Sequence, residues 1–211
     1  VVLATPNNPT GSVVDPDQMK ACMMRHPDVL FVLDEAYIEY ASVRSLADEV
    51  VDLGNAVCLS SLSKLGLAGL RLGFASAHPQ LIGVLDAARM PFPVNAMSQA
   101  VGAMLLREFG GELRERVVSC VAQRQRVNAG VQALMYDTSV EVVEGQGNFL
   151  ALLSPNAETL HAELLARGVV VRRFFHADSR HVLNRLLRVS VGSPGQNDRL
   201  LAAVASLSLQ V

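Results

Sequence analysis

Charge of neither sign is in excess. The 18 Lys and Arg residues nearly balance the 20 Asp and Glu residues, giving a formal net charge of −2 over 211 residues. Such a chain lacks the general electrostatic footprint for nucleic acid or an anionic membrane surface. Cysteine is scarce and odd in number: Cys22, Cys58 and Cys120 lie far apart. No CxxC or Cys/His spacing suggests a metal site, so none is expected, and a reduced, cytoplasmic setting fits best. No apolar run reaches the roughly 18 residues that a membrane span needs. A GxGxxG opening a helix and a GxxxxGK[ST] loop are both missing, which counts against a nucleotide binder. No internal repeat or low-complexity tract occurs. The first residues, Val1-Val2-Leu3-Ala4-Thr5, are too short and uncharged for a signal peptide. They already read as a buried strand without an initiator Met, so the expectation is a C-terminal portion of a longer protein.

Half of the residues are hydrophobic, enough for one large core or two small ones. Residues 1–5 form a short strand that ends in Pro6-Asn7-Asn8-Pro9-Thr10-Gly11, a rigid, non-repetitive turn. Asp15-Pro16 reads as N-cap and first residue of a helix to about Arg25. The continuous apolar run 29–33 predicts a strand buried on both faces, ending in Asp34-Glu35-Ala36-Tyr37. Strands are also expected at 56–59 and 72–77, and helices at 79–89 and 95–109, with Gly110-Gly111 as a break. A long amphipathic helix then runs over 112–135, and its arginines Arg114, Arg116, Arg124 and Arg126 read as a solvated face. Beyond it come strands at 140–143, 148–153, 169–171 and 186–191. Helices open at Ser154-Pro155, with Gly168 as the C′ residue, and at Ser193-Pro194. The pattern is α/β over 1–135 and a small α+β domain over 136–211.

The chemistry concentrates in Ser60-Ser61-Leu62-Ser63-Lys64-Leu65-Gly66-Leu67-Ala68-Gly69-Leu70-Arg71. A lone lysine in apolar sequence has the surroundings that lower an amine pKa and make it a nucleophile. Serine hydroxyls and an arginine fork are what a phosphate needs. A Schiff-base lysine beside a phosphate site is the requirement of pyridoxal 5′-phosphate (PLP) chemistry. A solvated surface lysine is an equally good reading of this stretch alone. Asp34 closes a strand at its carboxyl end, where open α/β sheets place ligand contacts. There it could pair with a protonated pyridine nitrogen, or simply cap a helix.

Taken in order, these segments resemble the fold type I, PLP-dependent class I/II aminotransferases. The resemblance rests on Pro6-Asn7-Asn8-Pro9-Thr10-Gly11, Asp34-Glu35-Ala36-Tyr37, Ser61-Leu62-Ser63-Lys64 with Gly69-Leu70-Arg71-Leu72-Gly73-Phe74, and Leu187-Arg188-Val189-Ser190-Val191-Gly192. It covers essentially the whole chain, and within the family the wording is most similar to the histidinol-phosphate aminotransferases. It implies part of a large PLP-binding domain, with a mostly parallel sheet and flanking helices, plus a small C-terminal α+β domain. By matched position it implies that Lys64 forms the Schiff base and shuttles the proton, and that Asp34 holds the pyridine nitrogen protonated. It implies that Asn8 and Tyr37 bond the ring oxygen, and that Ser61, Ser63 and Arg71 hold the phosphate. Arg188 would meet the substrate carboxylate, the alternative being an edge-strand charge in solvent, and Arg172 would help bind a second anionic group, with a solvated charge as its simpler reading. Arg71 follows Lys64 by seven positions, one fewer than the commoner family spacing.

The implied reaction is transamination between L-histidinol phosphate and 2-oxoglutarate, a step of histidine biosynthesis, in a cytoplasmic homodimer. The partners are then a small amino donor and a 2-oxo acid. The resemblance also admits a decarboxylase of the threonine-phosphate type, and a non-catalytic remnant of the fold. Because the family carries a long region ahead of the first motif, the 211-residue chain alone is expected to have little or no turnover.

Overall fold

The computed structural model describes residues 1–207, so the last four positions of the 136–211 stretch lie outside the described residues. The chain divides into two compact units. One comprises Val1–Asn8 and Ser12–Val118, and the other Pro9–Gly11 and the chain from Ser119 onward.

The first unit is an α/β layer. Its sheet has the order β1 (Val2–Ala4), β2 (Phe31–Asp34), β3 (Ala56–Ser61), β4 (Gly73–Ser76). The first three strands are parallel, and β4 returns antiparallel to β3. Helix α1 (Pro16–Arg25) makes the crossover between β1 and β2. It begins as expected: Asp15 accepts a hydrogen bond from the Gln18 amide, and Pro16 needs no partner for an N–H it lacks. Met19 and Met23 of α1 pack on Phe31, Leu33, Ala56 and Cys58 of the sheet, with Leu46 and Val50 of the following segment. The run at 29–33 does not behave as a strand buried on both faces. Phe31 and Leu33 point into this core, whereas Leu30 is 50% exposed and Val32 half-buried. The run alternates because only one face is covered by α1, and Val29 is spent in a turn back to His26.

Helices α2 (Pro79–Ala88) and α3 (Ala96–Glu108) follow, the latter capped by Asn95. Helix α4 (Gly110–Leu134) starts two residues before the expected Glu112. Gly110-Gly111 is no break. The interruption is Phe109 alone, whose N–H bonds Leu105 and whose carbonyl accepts from Leu113. One residue thus ends α3 and caps α4, and first-turn glycines are tolerated because their N–H groups need no helical partner. Large apolar side chains of this unit are left open, among them Phe74, Val84, Met97 and Phe92, the last 97% exposed.

The second unit is α+β. Its sheet is fully antiparallel in the order β5 (Glu141–Val143), β6 (Phe149–Leu153), β8 (Leu186–Ser190), β7 (Arg172–Arg173). Helices α5 (Ala157–Ala166) and α6 (Pro194–Ala205) and the later turns of α4 supply Leu160, Leu164, Leu200, Val127 and Val131 to its core. Ser193 and Gln196 form a capping box on α6. Two expectations shift. Ser154 is buried outside α5, holding the Asn156 amide with its hydroxyl, so that helix opens at Ala157. Residues 169–171 are not a strand: the Val169 amide bonds back to Leu164, with Gly168 at φ +76 as the expected C′ residue. The triplet is used in leaving the helix, and pairing begins only at Arg172.

Pro9–Gly11 belongs to this second unit by a backbone clasp. Gly11, at φ +74, accepts a 2.7 Å hydrogen bond from Gln146. A Cβ on Gly145 would stand 2.5 Å from the Thr10 carbonyl oxygen, so only glycine permits the approach. Among the described residues, no helix is long and apolar enough to cross a membrane.

Candidate active site

Parallel pairing brings three of the sequence motifs to one edge of the first sheet. Ala4, Asp34 and Leu59 lie side by side in register across β1, β2 and β3. Two further bonds stitch the chain just beyond that row, from the Thr5 amide to Asp34 and from the Glu35 amide to Leu59. The loop carrying Asn8, the Asp34–Tyr37 turn and the segment carrying Lys64 therefore all leave from carboxyl strand ends, where α/β sheets present ligand groups.

Asp34 is exposed, and its carboxylate accepts the Ala36 amide at 3.0 Å, which folds the turn. It caps that turn and begins no α-helix. Tyr37 is buried and opens a short 3₁₀ turn over Ile38–Tyr40. Lys64 sits on a second 3₁₀ turn, Leu62–Leu65, closed by Gly66 at φ +87. The two turns meet: the Lys64 amine lies 5.2 Å from the centre of the Tyr37 ring, and Tyr40 donates its phenol to the Lys64 carbonyl at 2.5 Å. Two tyrosines three positions apart hold one lysine, by its amine and by its backbone. Tyr40 carried no signal in the sequence except that spacing.

Ser61 caps the lysine turn, its hydroxyl accepting the Ser63 amide at 3.1 Å, and Ser63 is half-buried. Arg71 has φ 55 and is exposed, its guanidinium turned back onto the Ala68 carbonyl at 3.3 Å. Asn8 is exposed on the turn after β1. The structure thus gathers Asp34, Tyr37, Ser61, Ser63 and Lys64 at one sheet edge, with Asn8 and Arg71 on exposed loops of the same unit.

Arg172 and Arg188 stand in the second unit, directly opposite each other on β7 and β8. Arg188 is half-buried over the Phe149 ring, 5.3 Å from its centre, and Arg172 is exposed, 5.8 Å from that of Phe174. Arg124, expected in solvent, is half-buried and donates to the Gly147 carbonyl at 2.8 Å. Burial pulls its pKa below the usual arginine value. Sequence reasoning also passed over Glu35, a buried carboxylate whose neighbours in the motif drew all the notice.

PLP asks for an amine to join its aldehyde, a carboxylate for its ring nitrogen, a phenol or amide for its ring oxygen, and donors for its phosphate. The amine, carboxylate, phenol and hydroxyls at this edge fit that list. The sequence pattern of the aminotransferase class I and II family matches residues 1–204.

The chain belongs to this family. Its class is PLP-dependent. An aromatic amino acid aminotransferase of Mycolicibacterium paratuberculosis is 38% identical over 207 residues, 95% of this chain and 55% of that protein. A histidinol-phosphate aminotransferase of Cupriavidus pinatubonensis is 36% identical, over 100% of this chain and 56% of its own length. The chain therefore spans a little over half the length of these relatives. Among solved structures, the histidinol-phosphate aminotransferase of Sinorhizobium meliloti in complex with pyridoxal-5′-phosphate superimposes with a TM-score of 0.81 at 26% identity, covering 97% of this chain and 56% of that one. A decarboxylase from Sulfurospirillum multivorans superimposes with a TM-score of 0.84 at 25% identity, covering 98% and 60%. The class I/II chain thus carries the sheet and motifs of a PLP-dependent fold.

Proposed function

We propose that the protein formed with this chain is a PLP-dependent aminotransferase that takes its amino group from L-histidinol phosphate and gives it to 2-oxoglutarate. The observation that carries the reading is the Lys64 amine held over the Tyr37 ring, on segments that leave the carboxyl ends of the parallel strands β2 and β3, with Asp34 closing β2. When bound, PLP supplies the electron sink that stabilises a carbanion at the substrate carbon. Lys64 holds the cofactor and moves the proton. Asp34 keeps the ring nitrogen protonated by placing a negative charge against it. Tyr37 and Asn8 donate to the ring oxygen, and Ser61, Ser63 and Arg71 hold the phosphate.

Arg188 takes the substrate carboxylate, and Arg172 a second anionic group. Like charges directly opposite each other weaken a ladder, and an anion placed against both reverses that cost. A substrate phosphate has the charge for it, which favours a phosphorylated donor over an uncharged aromatic side chain. The cytoplasmic homodimer implied by the sequence motifs is retained as part of this proposal.

The test is the absorbance of the purified chain with PLP, before and after borohydride, against Lys64→Ala. A band fixed by borohydride and absent from the variant places the cofactor on Lys64. Turnover is then compared with histidinol phosphate and with aromatic amino acids as donors, with 2-oxoglutarate as acceptor. A colourless chain, and a colourless longer protein containing it, refutes the cofactor reading. Release of CO2 without amino transfer replaces the reaction by decarboxylation, a second reading favoured by the superposition on the Sulfurospirillum enzyme.

A further inference from the structure

Glu35 is the one charged side chain among the described residues that is fully buried, at 2% exposure. A buried carboxylate is costly unless its oxygens are satisfied. Here both are. One accepts the Leu46 amide at 2.9 Å and the other accepts the Ser45 hydroxyl. Cys58 of β3 completes the knot, its thiol pushed up by burial and then by the Glu35 charge. The segment supplying Ser45 and Leu46 is itself anchored. Arg44 pairs with Asp17 of α1 at 2.8 Å and with Glu49 at 2.9 Å, and Lys20 of α1 pairs with Glu49 at 2.7 Å. The Glu35 backbone is fixed as well, through its amide to Leu59 and its carbonyl to the Ile38 amide. Every anchor of this residue lies beneath a turn with Asp34 at one end and Tyr37 at the other.

We infer that Glu35 is a positioning residue, whose buried carboxylate locks the Asp34–Tyr37 turn in the shape that presents both side chains to the cofactor ring. The inference rests on the PLP reading for its consequence, and on the Ser45–Glu35–Leu46 geometry for its cause. No proton moves through Glu35. It acts by removing freedom from a four-residue turn, because a group placed on a preorganised turn loses less entropy when it binds. Gln keeps the shape and can rebuild both bonds, accepting from Leu46 and donating to Ser45. Ala can rebuild neither.

The test compares Glu35→Gln, Glu35→Ala and Ser45→Ala in the full chain, with two independent readouts. The first needs no cofactor: hydrogen exchange at the amides of Ala36, Ile38 and Leu46. Protection is expected to fall at least tenfold in Glu35→Ala and severalfold in Ser45→Ala, and to stay within twofold in Glu35→Gln. The second is PLP titration, with the pH midpoint of the Lys64-bound chromophore measured on folded protein. PLP affinity is expected to fall about tenfold in Glu35→Ala and its midpoint to move, with Glu35→Gln close to the parent. A residue that merely stabilised the unit would alter the folded fraction and leave that midpoint in place. Ser45→Ala removes a single hydroxyl at an exposed position, so it reports even where Glu35→Ala does not fold. Unchanged protection at Ala36 and Ile38 in the folded variants overturns the inference. So does an unmoved midpoint in a folded Glu35→Ala or Ser45→Ala chain. If neither the parent chain nor the longer protein containing it takes up PLP, the cofactor reading fails instead, and the exchange data still decide whether Glu35 locks the turn.

Discussion

Replacing Gly145 by alanine perturbs a close backbone approach within the second unit, and its cost follows from the geometry. The added Cβ would lie 2.5 Å from the Thr10 carbonyl oxygen and 2.9 Å from the Gly11 Cα. Both are backbone atoms, so no side-chain rotation relieves the clash. The loop must retreat by about 0.9 Å to reach the 3.4 Å of ordinary contact, which breaks the 2.7 Å bond from Gln146 to Gly11. A lost bond with its groups left partly buried costs about 1–3 kcal/mol. Restricting the unfolded chain returns about 0.4–1 kcal/mol. The expected net loss is about 1.3 kcal/mol, which at a urea slope of about 2 kcal/mol/M moves the unfolding midpoint down by about 0.6 M. Gly195→Ala is the control, because nothing lies within 4 Å of its added Cβ and the position is in α6. It should be neutral or gain at most about 0.5 kcal/mol, because a first-turn position feels helix preference only in part. Urea unfolding followed by circular dichroism, with exchange at the Gln146 amide, reads both. If Gly145→Ala unfolds at the same urea concentration as the parent with Gln146 still protected, the clasp contributes nothing and the reasoning fails.

Two further outcomes follow from the first unit. The Asn55 side-chain amide donates to three carbonyls, of Met23, His26 and Val29, at 3.0–3.1 Å, so Asn55→Ala should destabilise by about 2 kcal/mol, with Asn55→Asp no better, because a carboxylate offers those carbonyls no donor; equal urea midpoints would count against it. Hydrogen bonds from Lys20 and Arg44 hold the Glu49 carboxyl below its ordinary value of 4.5, so its pairs stabilise the fold above that pH and are lost as pH falls through the lowered folded value. Glu49→Gln should therefore melt below the parent at pH 7, with the gap closing as the pH drops under 4.5; a gap constant with pH would show that the charge is idle.

Local chemistry made much of this molecule legible. Asp15-Pro16 announces a helix start because the cap and the missing N–H act within four residues. The three motifs after β1, β2 and β3 are readable because parallel strands send their carboxyl ends to one edge, whatever the residues between them. Most of what escaped depends on distant partners. Residues 169–171 have the β-branched look of a strand, yet their first amide is taken by Leu164. Arg124 looks like surface until Gly147, 23 positions later, folds over it. Glu35 reads as a charged residue beside Asp34, and only Ser45 and Leu46 reveal it as buried. For Glu35 and Arg124 the deciding bonds reach 10 to 23 positions along the chain, beyond any short window, whereas at 169–171 a local helix-ending bond wins over β-branched propensity.

The clasp between Gly11 and Gln146 also sets an order of events in synthesis. Pro9–Gly11 leaves the ribosome well before its docking partner, which is made 135 positions later. At about 5–20 residues per second, the early tripeptide waits on the order of ten seconds for its place. Closing so long a loop carries a large entropic cost, which short-range contacts in β2, β3 and α1 do not bear. The β1 strand can pair with β2 meanwhile, but the turn that follows it stays open at one end. The second unit then completes itself around a piece of chain older than all the rest of it, and the docking of Pro9–Gly11 becomes a late step in the folding of that unit.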